Sequence, residues 1–177
     1  FSGEVTVDGQ TLTNVGVRKK GFQGSLSDTE PSFKIKFDEF VGGQQLNDMD
    51  RLTLNNNNQD DSEIKSCLAY FVMRKAGVPA PRCNFAHVTV TTIDGPIETT
   101  AVDKIYTHVD SIKDPFLRRN FGSDTGRLYE GTLTDFWSGP WRGTLEPKSP
   151  EAAADTTEID ALLAVLENPG LTDAQRL

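Results

Sequence analysis

The amino-acid sequence predicts an α+β fold, an antiparallel sheet with one main packed helix followed by a helical C-terminal extension. Three observations point there. Short segments in which apolar and polar residues alternate are separated by turns rich in Gly, Asn and Asp, the pattern of half-buried strands. From Ile64 to Val72 the apolar residues recur at helical spacing instead. A second helical stripe, Ile159, Leu162, Leu163 and Leu166, lies near the C-terminal end.

The elements follow in order. Val5-Thr6-Val7 and Val15-Gly16-Val17-Arg18 flank Asp8-Gly9, which reads as a β-hairpin. A second pair of strands surrounds the loop 21–31, the later one being Phe33-Lys34-Ile35-Lys36-Phe37. Leu52 and Leu54 alternate with polar neighbours at the end of another strand. An amide-rich turn, residues 55–59, then leads to Asp60, Asp61 and Ser62, whose side-chain oxygens suit the unpaired N–H groups that open a helix. In that helix Ile64, Cys67, Leu68, Phe71 and Val72 are expected to form a buried stripe, with Glu63, Lys65, Arg74 and Lys75 exposed. Gly77 supplies the stop, and the prolines of Val78-Pro79-Ala80-Pro81 force an extended entry into the next strand, residues 84–93. That strand turns at Asp94-Gly95 towards a hairpin partner, residues 99–109. Residues 114–120 read as a short helix, 122–143 as an aromatic, Gly-rich irregular segment and 148–154 as a flexible connector. Asp155-Thr156-Thr157-Glu158 is similar to a capping box, and its helix stops at Asn168-Pro169-Gly170.

Composition narrows the class. The 177 residues suffice for one domain with a core, 36% of them are hydrophobic, and the mean hydropathy is −0.43. No apolar run approaches the roughly 20 residues that span a bilayer. Phe1-Ser2-Gly3-Glu4-Val5 reads as a strand rather than a signal peptide, as expected of a mature form or an excised piece. A net charge of −8 argues against nucleic acid as a bulk electrostatic partner. The charge is also uneven. Residues 18–36 hold five basic side chains against two acidic ones, whereas 151–177 hold six acids against Arg176. A basic island in an acidic protein points to a small anionic ligand, the plain alternative being a lysine-rich solvated turn.

Several motifs stand in a distinctive order. They are Val15-Gly16-Val17-Arg18 with Gly21, Gly24 and Ser25, then Pro31-Ser32-Phe33-Lys34-Ile35-Lys36-Phe37, and the strand, Asn-turn, capped helix and Gly-Val-Pro-Ala-Pro-Arg of residues 51–85. Tyr106 to Asp110, Phe116-Leu117-Arg118-Arg119-Asn120-Phe121-Gly122 and Leu128-Tyr129-Glu130-Gly131 follow. Together they resemble the spore-coat protein H (CotH) family of atypical, secreted protein kinases. The resemblance implies residues 1–146 as a kinase-like N-terminal lobe and 147–177 as a connector and helix leading to a C-terminal lobe. The acidic motifs for metal binding and catalysis are expected after Leu177, so no catalytic residue and no metal ligand is assigned within the chain.

What the resemblance implies for the site can be set beside the residues. Phe33, Ile35 and Phe37 fall on one strand face, so Lys34 and Lys36 fall on the other, which in a kinase-like small lobe faces the nucleotide cleft. Lys36 is the first choice for a phosphate-binding point charge and Lys34 the second; two solvent-facing lysines on an edge strand are the alternative. Gly21, Gly24 and Ser25 would cover phosphates with backbone N–H groups. Lys65-Ser66 occupy the positions where family members often carry Arg-Glu, so either Glu63 substitutes for the carboxylate that orients the lysine or that ion pair is absent. Asp110 replaces the linker Glu. The implied cofactors are ATP with Mg or Mn, and the partners a nucleotide and a protein substrate or surface partner, at a secreted or cell-surface location. A non-catalytic adhesion or coat-assembly module is the rival reading.

Other chemistries leave little trace. Gly16 and Gly21 have the P-loop gap, but Phe22 stands where the lysine must be. His87 and His108 lack zinc-ligand spacing, and the amides of 55–58 are best explained as bonding turn backbone. Trp137 and Trp141 suit packing better than a carbohydrate platform. Cys67 on the helix and Cys83 on the strand that doubles back along it are expected to form a disulfide, with two buried thiols as the alternative.

Overall fold

The computed structural model describes residues 1–22, 25–93, 102–136, 144–155 and 157–176. In chain order the elements are β1 (Ser2–Val7), β2 (Gln10–Lys20), β3 (Ser32–Lys36), β4 (Arg51–Asn55), α1 (Lys65–Lys75), β5 (Cys83–Val90) and β6 (Val102–Val109). There follow α2 (Asp114–Phe121), β7 (Tyr129–Gly131), β8 (Leu145–Pro147), α3 (Pro150–Ala154), α4 (Thr157–Leu166) and α5 (Asp173–Arg176). The fold is α+β, as the alternation predicts. The first six strands form one curled antiparallel sheet in the order β1-β2-β3-β4-β6-β5. The chain divides into two compact units, Phe1–Phe116 and Leu117–Leu177, with the boundary inside α2.

In the first unit the hairpin turns where the sequence places it. Asp8 and Gly9 both take positive φ (48° and 81°), as a two-residue turn matched to strand twist requires. The core lies on one sheet face and follows the period of two. Val15, Phe33, Ile35, Phe37, Leu52, Leu54 and Tyr106 are buried there, joined by Leu46 from the β3–β4 loop. The rings of Phe33 and Tyr106 meet at 5.9 Å, and the Tyr106 hydroxyl donates to Pro31 O at 3.0 Å, so its polar end is paired inside. Register then dictates the other face. Lys36 lies between Gly16 and Arg51, Lys34 between Arg18 and Thr53, and Lys20 beside Ser32. The turn expected at Asp94-Gly95 falls outside the described residues, although β5 and β6 pair from Cys83↔Val109 to Val90↔Val102.

The main helix departs from expectation. Its apolar stripe is not buried: Leu68 is 54% exposed and Phe71 49%, with Ile64 and Val72 similarly open. The reason is the roll of the helix. Cys67 and Tyr70 are its half-buried residues, Cys67 is bonded to Cys83, and the Arg74 guanidinium donates to Pro81 O. Those three positions share one row, roughly a quarter-turn from Ile64, Leu68 and Phe71 at about 100° per residue. The Cys67–Cys83 disulfide itself is borne out, spanning 16 residues with the Cα atoms 5.2 Å apart. The helix also begins later than expected. Its N-cap is Ile64, and Glu63 sits outside it at φ 60° rather than on a helical face. Asp60 caps from farther back, its carboxylate accepting the Lys65 N–H at 2.7 Å.

In the second unit β7 and β8 pair as a small antiparallel ribbon inside and after the segment read as irregular. The expected connector contains α3. Ser149 caps it, accepting the Ala152 N–H at 3.3 Å and that of Leu128 at 3.1 Å, with Pro150 at the first turn where its missing N–H is harmless. Asp155 opens α4 by accepting the Thr157 N–H at 2.9 Å, and Arg127 bridges Asp155 and Glu158. Trp137 and Trp141 lie outside the described residues.

Candidate functional site

A cleft forms where β2 ends. The alternation that buries Val15 brings Lys20 to the opposite face, half-buried, and Gly21 then breaks the strand. A Cβ at Gly21 would stand 2.9 Å from Ser25 O, so only glycine permits the chain to return this closely. Ser25 closes the turn: its hydroxyl accepts the Phe22 N–H at 2.9 Å and donates to Phe22 O at 3.0 Å. Asn56, 2% exposed, pins the same loop from β4. Its amide donates to Ser25 O (3.2 Å) and Glu30 O (2.8 Å), and its backbone N–H donates to Ser32 Oγ (2.9 Å). Asn57 follows at φ 58°, a left-handed residue that asparagine tolerates, and turns the chain towards α1. Its Oδ1 accepts the Thr107 hydroxyl at 2.8 Å, which leaves Nδ2 buried without a hydrogen-bond partner among the described residues. The resulting cavity is about 260 Å³, lined by Lys20, Gly21, Ser25 and Ser32, by residues 55–60, and by Lys65 and Ser66 at the start of α1.

Its electrostatics centre on Lys20. The ammonium donates to Asn55 Oδ1. Burial, and then the positive charges of Lys34 and Arg18, push its pKa below the usual lysine value. Among the described residues no carboxylate forms an ion pair with it. Lys36 is the opposite case. It pairs with Glu39 (3.1 Å) and Asp38 (3.6 Å), and the hydrogen bond to Glu39, then the charges of Asp38 and Glu39, raise its pKa.

The structure brings Gly21 and Ser25 to the cleft. Lys34 shares the sheet face with Lys20 but does not line the cavity, and Lys36 lies further along β3 with its acidic partners. Glu63 turns its carbonyl towards Thr107, the oxygen lying 3.4 Å from Thr107 Oγ1. Asp110 sits at the end of β6, accepting the Arg82 N–H at 3.1 Å while its own N–H donates to Arg82 O at 2.9 Å. Gly24 lies outside the described residues. Lys20, Lys65 and Ser66 were not among the site residues expected from the sequence, although Lys20 has the same strand parity as Arg18 and immediately precedes the Gly21 turn.

Among the described residues no group of three or more His, Cys, Asp or Glu is arranged to hold a metal ion. No helix there is long and apolar enough to cross a membrane. No curated protein matches the chain. The family model described as CotH kinase protein matches residues 17–175, which include the Gly21 turn, the lysine strand, the Asn turn and α1. With nearly its whole length matched in this way, the chain belongs to the CotH kinase family.

Proposed function

We propose that this chain is the nucleotide-binding, small-lobe part of a CotH-type protein kinase and holds ATP for phosphoryl transfer to a protein acceptor. The observation that carries the reading is the CotH kinase match over residues 17–175. Phosphoryl transfer asks for positioning and charge more than covalent chemistry, so a small lobe needs cations and N–H donors around phosphate oxygens. The basic sheet face and the Gly21–Ser25 close approach support that role. Mg or Mn would enter with the nucleotide; among the described residues no group of three or more His, Cys, Asp or Glu is placed to hold it. A secreted or cell-surface location suits a chain whose two cysteines are paired.

The adhesion or coat-assembly reading has one observation in its favour, the exposed apolar stripe of α1, since such patches mark interaction surfaces. Equilibrium binding of ATP to the purified chain separates the two. Weak binding is expected, because water in an open cleft screens each contact. Incubation with labelled ATP, Mg or Mn and a generic acceptor should give no turnover, and stoichiometric phosphate incorporation would contradict that. Absence of ATP binding at millimolar concentration would sink the nucleotide reading and leave the adhesion one.

A further inference from the structure

We infer that Lys20, rather than Lys34 or Lys36, is the phosphate ligand of this chain, and that its cleft is a subsite for the terminal phosphates of a nucleoside triphosphate. The inference rests on the nucleotide reading and refines it to one side chain.

Charge balance favours Lys20 over Lys36. Lys19, Lys36, Lys65 and Lys104 each have a carboxylate, at 3.4 Å (Asp28), 3.1 Å (Glu39), 3.5 Å (Asp60) and 2.8 Å (Glu30) respectively. Lys20 has none among the described residues, and the charges acting on it are those of Lys34 and Arg18. A half-buried cation facing other cations is costly, and a bound anion removes that cost. Lys36 already has its anions, so a phosphate there would have to compete with Asp38 and Glu39.

The donors in the cleft point to the same ligand. Asn57 stands in the cleft wall, its side-chain amide held by Thr107. The N-cap residue Ile64 has no capping side chain, so past the Lys65 N–H that Asp60 accepts, the first turn of the 11-residue α1 brings its positive end to the cavity beside Ser66. The Asp60 charge is met by Lys65 Nζ as well as by that N–H. Size sets the limit. A cavity of about 260 Å³ falls below the roughly 300–1,000 Å³ of sites that enclose a whole drug-sized ligand, so it takes phosphate groups and leaves ribose and base outside.

The test is calorimetric titration of the 177-residue chain with ATP and, separately, with inorganic tripolyphosphate. Lys20→Gln, which keeps a donor for Asn55, is compared with Lys34→Gln and Lys36→Gln. Loss of a charge-assisted contact should weaken both ligands about tenfold or more for Lys20→Gln and under about threefold for the other two. ATP binding that Lys20→Gln leaves unchanged overturns the assignment while the nucleotide reading survives. Tripolyphosphate bound through Lys20 without any ATP binding upholds the anion site and removes the nucleotide reading. Binding of neither ligand removes both. Should Lys20→Gln fail to fold, the wild-type chain still decides by NMR. Tripolyphosphate should shift the Asn57 side-chain amide and the Ser66 and Cys67 backbone amides, and shifts centred on Lys36 and Glu39 instead would refute the assignment.

Discussion

Replacing Cys67 and Cys83 together by alanine should release α1 before it weakens the sheet. The bridge closes a separation of 16 residues, for which the chain-entropy model gives about 3 kcal/mol. That full amount reaches global stability only if α1 and the sheet unfold as one unit. The structure argues that they do not. No residue of α1 is buried, and its 11 residues fall short of the roughly 12–15 at which an isolated helix becomes even marginal in water. Without the bridge, the helix keeps the Asp60 cap, the Arg74 bond to Pro81 O and the half-buried Tyr70, the two polar contacts contributing about 1 kcal/mol each. A loss of about 3 kcal/mol corresponds to roughly a hundredfold fall in protection where exchange follows local opening. Amide hydrogen exchange on the oxidised, reduced and double-alanine forms should therefore show that fall in α1 and a smaller one in β3 and β4. Because Lys65 and Ser66 line the cleft, phosphate affinity should fall with it. Unchanged protection in α1, or an equal loss in α1 and the sheet, would refute the reasoning.

Two further substitutions probe the core and the loop. Burial first, and then the charge of Glu30, push the Tyr106 hydroxyl up to about 12 from 10.0. The unfolded chain then ionises first, so stability is level below pH 10 and falls between pH 10 and 12, by on the order of 2 kcal/mol. Urea midpoints at pH 8 and 11.5 should show this fall, and Tyr106→Phe should lack it while losing about 1–2 kcal/mol at neutral pH from the unpaired Pro31 O. An equal alkaline fall in both proteins would count against the assignment. Asn56→Ala removes donors to Ser25 O and Glu30 O and should cost about 2–3 kcal/mol by thermal melting, with increased proteolysis in the loop 21–31; a change under about 0.5 kcal/mol would show that the loop is held elsewhere.

Local periodicity carried much of the fold. Phe33, Ile35 and Phe37 alternate with Lys34 and Lys36, and a period of two needs nothing beyond the strand itself to separate core from cation. Asp8-Gly9 likewise carries its own turn. The disulfide was legible because the prolines after Gly77 send the next strand back along the helix. The roll of α1 was not, since a stripe records which residues are apolar and not what surface is present to cover them; the tether through Cys67 and Tyr70 decides that. Glu63 was misplaced because a left-handed residue ahead of a helix satisfies the turn and not the helical period. The cleft belongs wholly to tertiary structure. Asn57 loses an oxygen to Thr107, 50 residues away, while Lys36 is neutralised by Asp38 and Glu39 as the chain turns after β3. Which lysine lacks an anion is thus local at Lys36, whose acids follow within three residues, and tertiary at Lys20, which meets Asn55 from 35 residues away rather than a carboxylate.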